Sequence, residues 1–294
     1  MSDCEVSLGK TEVCLPAVGT GAWSWGDRIV WGFGEEYDAS TVQGAFEASL
    51  QAGIDFFDTA EAYGRGKSER LLGQFIHSQE HRVSVATKLT PFPWRLWNGS
   101  VRKALEASLE RLDLPQVDLY QLHWPFPLLP VEKWADGLAE VVEAGLTRAV
   151  GVSNYNADQM RQMHTALQAR GIPLASNQVE YSLYNRKVER NGVLEACQEL
   201  DVTLIAYSPL GQGILTGKYT PENRPGGIRG WRYNRATLEK VQPLIQAMRE
   251  IGQRHGEKPA RRARTPAPAT GACRTKKCSG WMKSARRFNE AGKR

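Results

Sequence analysis

Short apolar runs, rich in β-branched and aromatic residues, recur about every 30 residues along the chain. Each run has the length and composition of a buried strand and is followed by a more polar segment. The runs lie at Leu15–Trp23, Phe56–Ala60, Val83–Leu89, Val117–Trp124, Ala149–Asn154, Ala175–Ser182 and Thr203–Leu210. Strands that alternate with helices predict parallel βαβ units.

The segments between the runs have the period of amphipathic helices. In Ser100–Leu114, apolar and small residues follow i, i+3, i+4, i+7 spacing. Gly53, Gly145 and Gly171 stand where helices should stop. Seven or more strand–helix units in succession favour a (β/α)8 TIM barrel over an open sheet, and catalytic residues in such barrels gather at the C-terminal ends of the strands. No G-x-G-x-x-G fingerprint opens a helix after a strand, which argues against a Rossmann cofactor site.

The alternating pattern ends near residue 256. It continues through the helix-like stretch Ala236–Gly256, but from Pro259 the chain has almost no aliphatic residues and no amphipathic period. We therefore predict that the eighth βα unit is missing or replaced. Residues 1–256 would form the barrel, and residues 257–294 a basic tail that is disordered. An altered C-terminus, or a natural disordered tail, would explain this change of composition.

Charge is distributed unevenly. The formal net charge is +6, yet the last 37 residues hold 12 Lys and Arg with a single acid, which leaves −5 on the first 257. The body of the protein therefore does not resemble a nucleic-acid binder. No apolar run reaches the roughly 18 residues of a membrane span, and the N-terminus shows no signal or transit pattern. We expect a cytoplasmic protein without a membrane partner, with a plastid location as the alternative.

Four residues at or just after the ends of predicted strands carry the candidate chemistry: Asp58, Tyr63, Lys88 and His123. A carbonyl group that accepts hydride must also receive a proton, and a free tyrosine, with a pKa of about 10, is a reluctant donor. A nearby ammonium lowers that pKa, a carboxylate keeps the ammonium charged and in place, and an imidazole can orient the carbonyl oxygen. Each residue alone could have a purely structural role. Their combination at successive strand ends favours catalysis.

A second group of motifs follows at later strand ends. Gly151–Asn154 (G-V-S-N) and Asn177–Ser182 (N-Q-V-E-Y-S) supply amides and a hydroxyl that can pair with a carboxamide such as that of nicotinamide. Tyr207 offers a flat face for a pyridine ring. The glycine-rich segment Ala206–Lys218 can cradle a pyrophosphate with backbone N–H groups, while its lysine supplies the counter-charge. Cys273 and Cys278 have a spacing that suits no common zinc pattern, so no metal site is expected.

These motifs together resemble the aldo-keto reductase family over Leu15–Gly256. The finer resemblance is to its plant and cyanobacterial branch, including pyridoxal-reductase-like members, through W-R-L at Trp94 and S-N-Q-V-E-Y-S-L. The resemblance implies reduction of small-molecule aldehydes or ketones to alcohols with NADPH, or with NAD as the alternative cofactor, and with Tyr63 as the proton donor. Two alternative hypotheses remain. The chain could be a cofactor-binding regulatory subunit, since potassium-channel β subunits resemble this family, or an inactive truncated isoform.

The resemblance also assigns the remaining site residues. It implies cofactor contacts from Gly21, Ala22, Trp23, Asp58, Ser153, Asn154, Gln178, Tyr207, Ser208, Pro209, Leu210, Gly211 and Lys218. Ala22 stands where the family has Thr, which removes one hydroxyl contact to the cofactor. Independently of the resemblance, Trp25, Trp94 and Trp124 lie on or after strand ends, where they are expected to form an aromatic-walled substrate pocket, with packing between helices and barrel as the alternative. The family's eighth strand, and the helix after it that holds the adenosine 2′-phosphate, have no match in this chain.

Overall fold

A computed structural model of the chain describes residues 5–92, 95, 99–126 and 129–254. Trp94, Cys273, Cys278 and the tail predicted at residues 257–294 lie outside the described residues. The domain boundary at residue 256 therefore stays a prediction. No helix in the described part of the chain is both long enough and apolar enough to cross a membrane.

Nine strands form within the described residues. They are β1 (Val6–Ser7), β2 (Cys14–Leu15), β3 (Thr20–Gly21), β4 (Phe56–Asp58), β5 (Ser84–Leu89), β6 (Val117–Leu122), β7 (Thr147–Ser153), β8 (Leu174–Glu180) and β9 (Thr203–Tyr207). β1 and β2 pair as a short antiparallel hairpin, and β3 to β9 form one seven-stranded sheet in chain order. The pairs from β3 to β8 are all parallel. This arrangement confirms the predicted (β/α) barrel class, and the described residues contain no eighth strand of that sheet.

Nine α-helices accompany the strands in the described part of the chain. They are α1 (Arg28–Trp31), α2 (Ala39–Gln51), α3 (Lys67–His77), α4 (Ser100–Leu112), α5 (Val131–Glu143), α6 (Ala157–Gln168), α7 (Val193–Glu199), α8 (Gly227–Arg232) and α9 (Arg235–Arg254). Short 3-10 turns occur at Tyr63–Gly66, Lys187–Glu189 and Gly211–Thr216. The predicted glycine stops are confirmed, because Gly53, Gly145 and Gly171 have φ values of 75°, 70° and 70° after α2, α5 and α6.

The structure corrects the prediction of the first strand. Leu15–Trp23 does not form one strand but divides into the end of the hairpin and the two-residue β3. Pro16 lies at the break and has no N–H to donate to a ladder. Gly19 lies against the Phe56 ring, which is 2.4 Å from where a Cβ would stand, so the chain passes too close to β4 for any larger residue.

The N-terminal hairpin packs against the amino-terminal half of the barrel interior. Leu8, Val13 and Leu15 share one buried cluster with inward side chains from β4 to β8, namely Phe56, Ala86, Leu119, Ala149 and Ala175. Gly9 N donates to Thr203 Oγ1 at 2.8 Å, which ties the hairpin turn to the start of β9. This end of the sheet is filled with apolar side chains, so the candidate polar residues lie at the opposite end, where the strands have their carboxyl ends.

The described residues form two compact units. One contains the chain up to residue 179 together with residues 191–205, and the other contains residues 180–190 and the segment from Ala206 onward. The second unit has its own buried cluster, built by residues of the glycine-rich turn and of α9 with Tyr219 and Tyr233 between them. Each unit therefore has a separate hydrophobic core.

Aromatic rings fill the space between the sheet and the helices near β4. Phe46 and Phe57 are fully buried with ring centroids 4.8 Å apart, and Phe75 lies 5.7 Å from Phe46. Trp25 joins them with only 3% of its surface exposed, at 6.0 Å from Phe57. The Trp25 ring is enclosed by three phenylalanines, so it has no face left for a substrate. We therefore do not retain Trp25 among the substrate-facing residues.

Truncation of this aromatic cluster should destabilise the fold. We expect Phe46→Ala to lower the free energy of unfolding by about 3–5 kcal/mol, because it removes a fully buried ring and leaves a cavity. Ile29→Ala, at a side chain that is 75% exposed, is the matched control and should change stability by less than about 0.5 kcal/mol. Urea denaturation followed by fluorescence measures both. Equal denaturation midpoints for the two variants would contradict the assignment of this cluster to the core.

Candidate active site

A buried ion pair lies at the carboxyl ends of β4 and β5. Lys88 is fully buried, and its Nζ donates to Asp58 Oδ2 at 2.5 Å and to the Thr59 carbonyl oxygen at 2.9 Å. Strand register explains the approach, since β4 and β5 are adjacent parallel strands and both residues lie near their ends. Two of the four residues selected from the sequence are thus in direct contact.

The other oxygen of Asp58 is held by two amides from strands further round the sheet. Gln178 Nε2 donates to Asp58 Oδ1 at 2.9 Å, and Gln121 Nε2 makes a longer contact to the same oxygen at 3.4 Å. Gln121 was not among the residues selected from the sequence. The sequence does carry a signal for it, because Gln121 lies two positions before His123 and β6 has the period of two that places such residues on one face.

Tyr63 begins the 3-10 turn after β4 and is partly exposed. Its backbone N–H donates to the Ala60 carbonyl oxygen at 3.0 Å, which closes the turn. Lys88 Nζ lies 5.1 Å from the centroid of the tyrosine ring, and His123 packs edge-to-face on that ring at a centroid distance of 5.6 Å. The structure therefore brings all four residues selected from the sequence together.

The ionisation of this cluster is set by burial and by mutual charge. Burial acts to lower the pKa of Lys88, but the Asp58 carboxylate and Tyr63 raise that pKa above its ordinary value, so the ammonium stays charged. Burial raises the pKa of Tyr63, and Asp58 adds to that rise, although the Lys88 charge opposes it. The sequence predicted a lowered tyrosine pKa. The ammonium does act in that direction, but the cost of burying a phenolate is larger.

His123 follows the end of β6 and is fixed through its backbone. Its N–H donates to the Leu89 carbonyl oxygen at 2.9 Å, and its own carbonyl oxygen accepts from Asn154 Nδ2 at 3.1 Å. Burial and the nearby Lys88 charge lower the pKa of His123 to about 3, so the imidazole is neutral at ordinary pH. Its Nδ1 is buried and has no hydrogen-bond partner within the described residues.

The residues predicted to hold a carboxamide lie side by side at the ends of β7 and β8. Ser153 pairs with Gln178 in the strand register, and Ser153 Oγ donates to the Gln178 carbonyl oxygen at 2.9 Å. Asn154 Nδ2 donates to Ser153 Oγ at 3.0 Å, and Asn154 has a φ of 62°, a left-handed conformation that asparagine tolerates. The Gln178 side-chain amide joins this group, with its Nε2 bound to Asp58 Oδ1 at 2.9 Å.

The first-strand residues and Trp124 border the same cluster. Gly21 pairs with Asp58 in the sheet, and Ala22 N donates to the Asp58 carbonyl oxygen at 2.8 Å. Trp23 stacks on the Tyr63 ring at 6.2 Å between centroids. Trp124 lies 5.8 Å from the His123 ring and is 49% exposed. Aromatic rings thus stand on both sides of the tyrosine and histidine pair.

The predicted pyrophosphate segment belongs to the second compact unit. After Tyr207 the backbone enters the left-handed region repeatedly, at Ser208, Gly211, Gln212, Gly213 and Gly217, whose φ values are 51°, 56°, 55°, 100° and 78°. Such a backbone can turn successive N–H groups toward one point, as in anion-binding nests. Lys218 ends the segment, is exposed, and places its Nζ 4.8 Å from the Tyr219 ring centroid. Pro209 and Leu210 lie within the same segment.

Comparison with known proteins agrees with this geometry. Residues 17–264 match the model of the Aldo/keto reductase family. The chain is 42% identical to the chloroplastic pyridoxal reductase of Arabidopsis thaliana over 86% of its own length and 72% of the relative. It is 30% identical to the L-glyceraldehyde 3-phosphate reductase of Escherichia coli O157:H7, over 87% of its length and 77% of that protein.

Solved structures give the same result. The glycerol dehydrogenase AKR11B4 from Gluconobacter oxydans aligns with a TM-score of 0.76 and 26% identity, over 90% of this chain and 82% of that one. An aldo/keto reductase from Klebsiella pneumoniae, in complex with NADP and acetate, aligns with a TM-score of 0.63 and 25% identity, over 87% of this chain and 79% of that one. On fold, motifs and sequence, the chain belongs to the aldo/keto reductase family of oxidoreductases.

Proposed function

We propose that this protein is an NADP-dependent reductase of aldehydes or ketones in which Tyr63 donates the proton to the carbonyl oxygen. The observation that carries the proposal is the fully buried Lys88 ammonium, paired with Asp58 at 2.5 Å and placed 5.1 Å from the Tyr63 ring. A buried ammonium beside a tyrosine has an evident chemical use, since it stabilises the phenolate that forms when the proton leaves.

The residues present suit a nicotinamide cofactor. The side-chain amide of Gln178 has the acceptor type that a carboxamide N–H needs, and Ser153 and Asn154 place further polar groups beside it. The left-handed backbone after Tyr207, with Lys218 at its end, suits a pyrophosphate. NADPH, when bound, supplies the hydride. The aldo/keto reductase from Klebsiella pneumoniae that shares this fold was crystallised with NADP.

The chain's own groups have separate tasks in the proposed reaction. Tyr63 is protonated at neutral pH, since the ordinary tyrosine pKa is already about 10 and burial raises it further, so Tyr63 carries a proton to donate as a general acid. Lys88 stays charged and offsets the negative charge that develops on the tyrosine oxygen, while Asp58 fixes the ammonium in place. His123 is a neutral imidazole, so it can donate one hydrogen bond to the carbonyl oxygen without competing as an acid.

The surroundings of Tyr63 favour planar or apolar substrates. Trp23 stacks on the tyrosine ring, and the half-exposed Trp124 stacks on His123, so a flat aldehyde would meet aromatic faces on two sides. The relative from Arabidopsis thaliana is named a pyridoxal reductase, which makes pyridoxal the first aldehyde to assay. That relative is also named as chloroplastic, so the location of this protein should be tested in plastids as well as in the cytoplasm.

Replacement of the proposed proton donor should abolish turnover without loss of cofactor binding. We expect Tyr63→Phe to lower kcat for pyridoxal or a benzaldehyde by about 10²–10⁴-fold, because general acid catalysis contributes that much. The Kd for NADPH should change by less than about threefold, since the tyrosine ring remains. Nicotinamide absorbance in steady-state assays and fluorescence titration measure the two quantities.

The control is Tyr184→Phe, which removes a hydroxyl from a ring that is 43% exposed, and which should leave kcat unchanged. Parent-level turnover in Tyr63→Phe would refute the assignment of the proton donor. If the parent protein binds NADPH but reduces no aldehyde, the alternative hypothesis of a regulatory subunit is favoured instead.

The titration of His123 gives a second test. Because burial and Lys88 lower the pKa of His123 to about 3, its ring should stay neutral as the pH falls from about 8 to about 5. A free histidine, with a pKa of about 6.5, gains a proton over that interval. Proton NMR of the ring protons, assigned with a His123→Asn variant, measures this. A midpoint near pH 6.5 for His123 would contradict the neutral-imidazole role.

A further inference from the structure

A second buried ion pair lies in the segment that leads from β4 to the catalytic tyrosine. Glu61, two residues before Tyr63, places its carboxylate against both terminal nitrogens of the Arg95 guanidinium. Arg95 Nη2 donates to Glu61 Oε2 at 2.9 Å, and Nη1 donates to Oε1. The two side chains are only 9% and 19% exposed. The pair is therefore bidentate and largely removed from water.

The same two side chains hold the backbone that follows β5. Glu61 Oε1 accepts from Thr90 N at 2.6 Å, and Arg95 Nη1 donates to the Thr90 carbonyl oxygen at 3.0 Å. The Arg95 guanidinium lies 5.6 Å from the centroid of the Phe92 ring. The backbone carbonyl oxygen of Arg95 accepts from Ser100 Oγ at 3.0 Å. Both polar backbone groups of Thr90 are thus bound by the pair, and Arg95 is anchored to the start of α4.

The Glu61–Arg95 pair is close in sequence to both Tyr63 and Lys88. Glu61 N donates to the Lys88 carbonyl oxygen at 3.3 Å, and Thr90 is two residues beyond Lys88. The next hydrogen bond along the segment, from Tyr63 N to the Ala60 carbonyl oxygen at 3.0 Å, closes the tyrosine turn. The ion pair therefore joins the segment that carries the proton donor to the strand end that carries its ammonium.

Stability alone does not explain why charged residues occupy these positions. A buried ion pair is often no more stabilising than apolar residues of similar volume, whereas loss of one partner leaves a costly unpaired charge. A planar guanidinium that binds both oxygens of a carboxylate does fix distance and orientation, which an apolar contact does not. We propose that Glu61 and Arg95 are positioning residues, which hold the Tyr63 turn against the end of β5 so that Tyr63 and Lys88 keep their geometry.

The inference rests on the proposed reductase function, and a comparison of single and double variants tests it. Glu61→Met and Arg95→Met each leave one buried charge unpaired and should lower Tm. The double variant removes both charges and should recover most of that Tm. If the pair positions Tyr63, kcat/KM for the aldehyde should stay at least about tenfold low in all three variants, since small displacements in an active site have large kinetic effects. The Kd for NADPH should remain within about twofold of the parent.

The matched control is the exposed ion pair of Arg102 and Glu106 on α4, whose side chains are 46% and 48% exposed. Its double methionine variant should keep parental kcat/KM. Parental kcat/KM in the double variant of Glu61 and Arg95, with Tm recovered, would overturn the proposal and leave the pair a purely structural role.

Hydrogen exchange at the Thr90 amide supplies a readout that does not depend on turnover. Glu61→Met removes the acceptor of this amide, so its protection should fall in the single and the double variant alike. Unchanged protection of the Thr90 amide in the double variant would overturn the proposal that the pair positions the segment after β5. If the parent protein reduces no aldehyde, the proposed function fails, while the exchange result still decides whether the pair holds this segment.

Discussion

The burial of one ammonium group constrains the whole carboxyl-terminal face of this sheet. A lone charge inside a protein costs several kcal/mol, and Lys88 has no exposed surface. The Asp58 carboxylate and the Thr59 carbonyl oxygen stabilise the charge by accepting hydrogen bonds from it, and the remaining oxygen of Asp58 accepts from Gln178. These groups come from β4, β5 and β8, so the charge is tolerated only when distant strands are in register. The Lys88–Asp58 pair and the sheet topology therefore depend on each other.

Two opposed effects act on the pKa of Tyr63, the proposed acid. Desolvation keeps its proton in place before the reaction, while the Lys88 charge favours the phenolate that forms afterwards. The ammonium thus contributes most when charge develops on the tyrosine oxygen, which is the condition for transition-state stabilisation. The same charge, together with burial, keeps His123 neutral. One cation therefore sets the protonation of both groups that would meet the carbonyl oxygen.

The site residues divide according to the task that each group would perform. The proposed proton donor, ammonium, imidazole and carboxamide contacts all belong to the first compact unit, whereas the segment from Tyr207 to Lys218 belongs to the second. In the family, the adenosine end of the cofactor is expected at the eighth βα unit, which this sequence does not match. The proposed proton-transfer groups and the proposed pyrophosphate contacts therefore lie in different parts of the chain.

The sequence was sufficient to predict the barrel class, six of the seven parallel strands to within a few residues, the apolar face of α4 and four candidate catalytic residues. It could do so because strand and helix periods are local, and because D-x4-Y, Lys and L-H-W follow strand signals directly. Three features could be read only from the folded chain: Trp25 is a core ring, Gln121 donates to Asp58, and Glu61 binds Arg95. Each of these depends on which side chains share one enclosed space, and so does the balance between burial and charge that sets the tyrosine pKa. Period and spacing cannot supply that information, because it arises only when strands far apart in sequence are brought side by side.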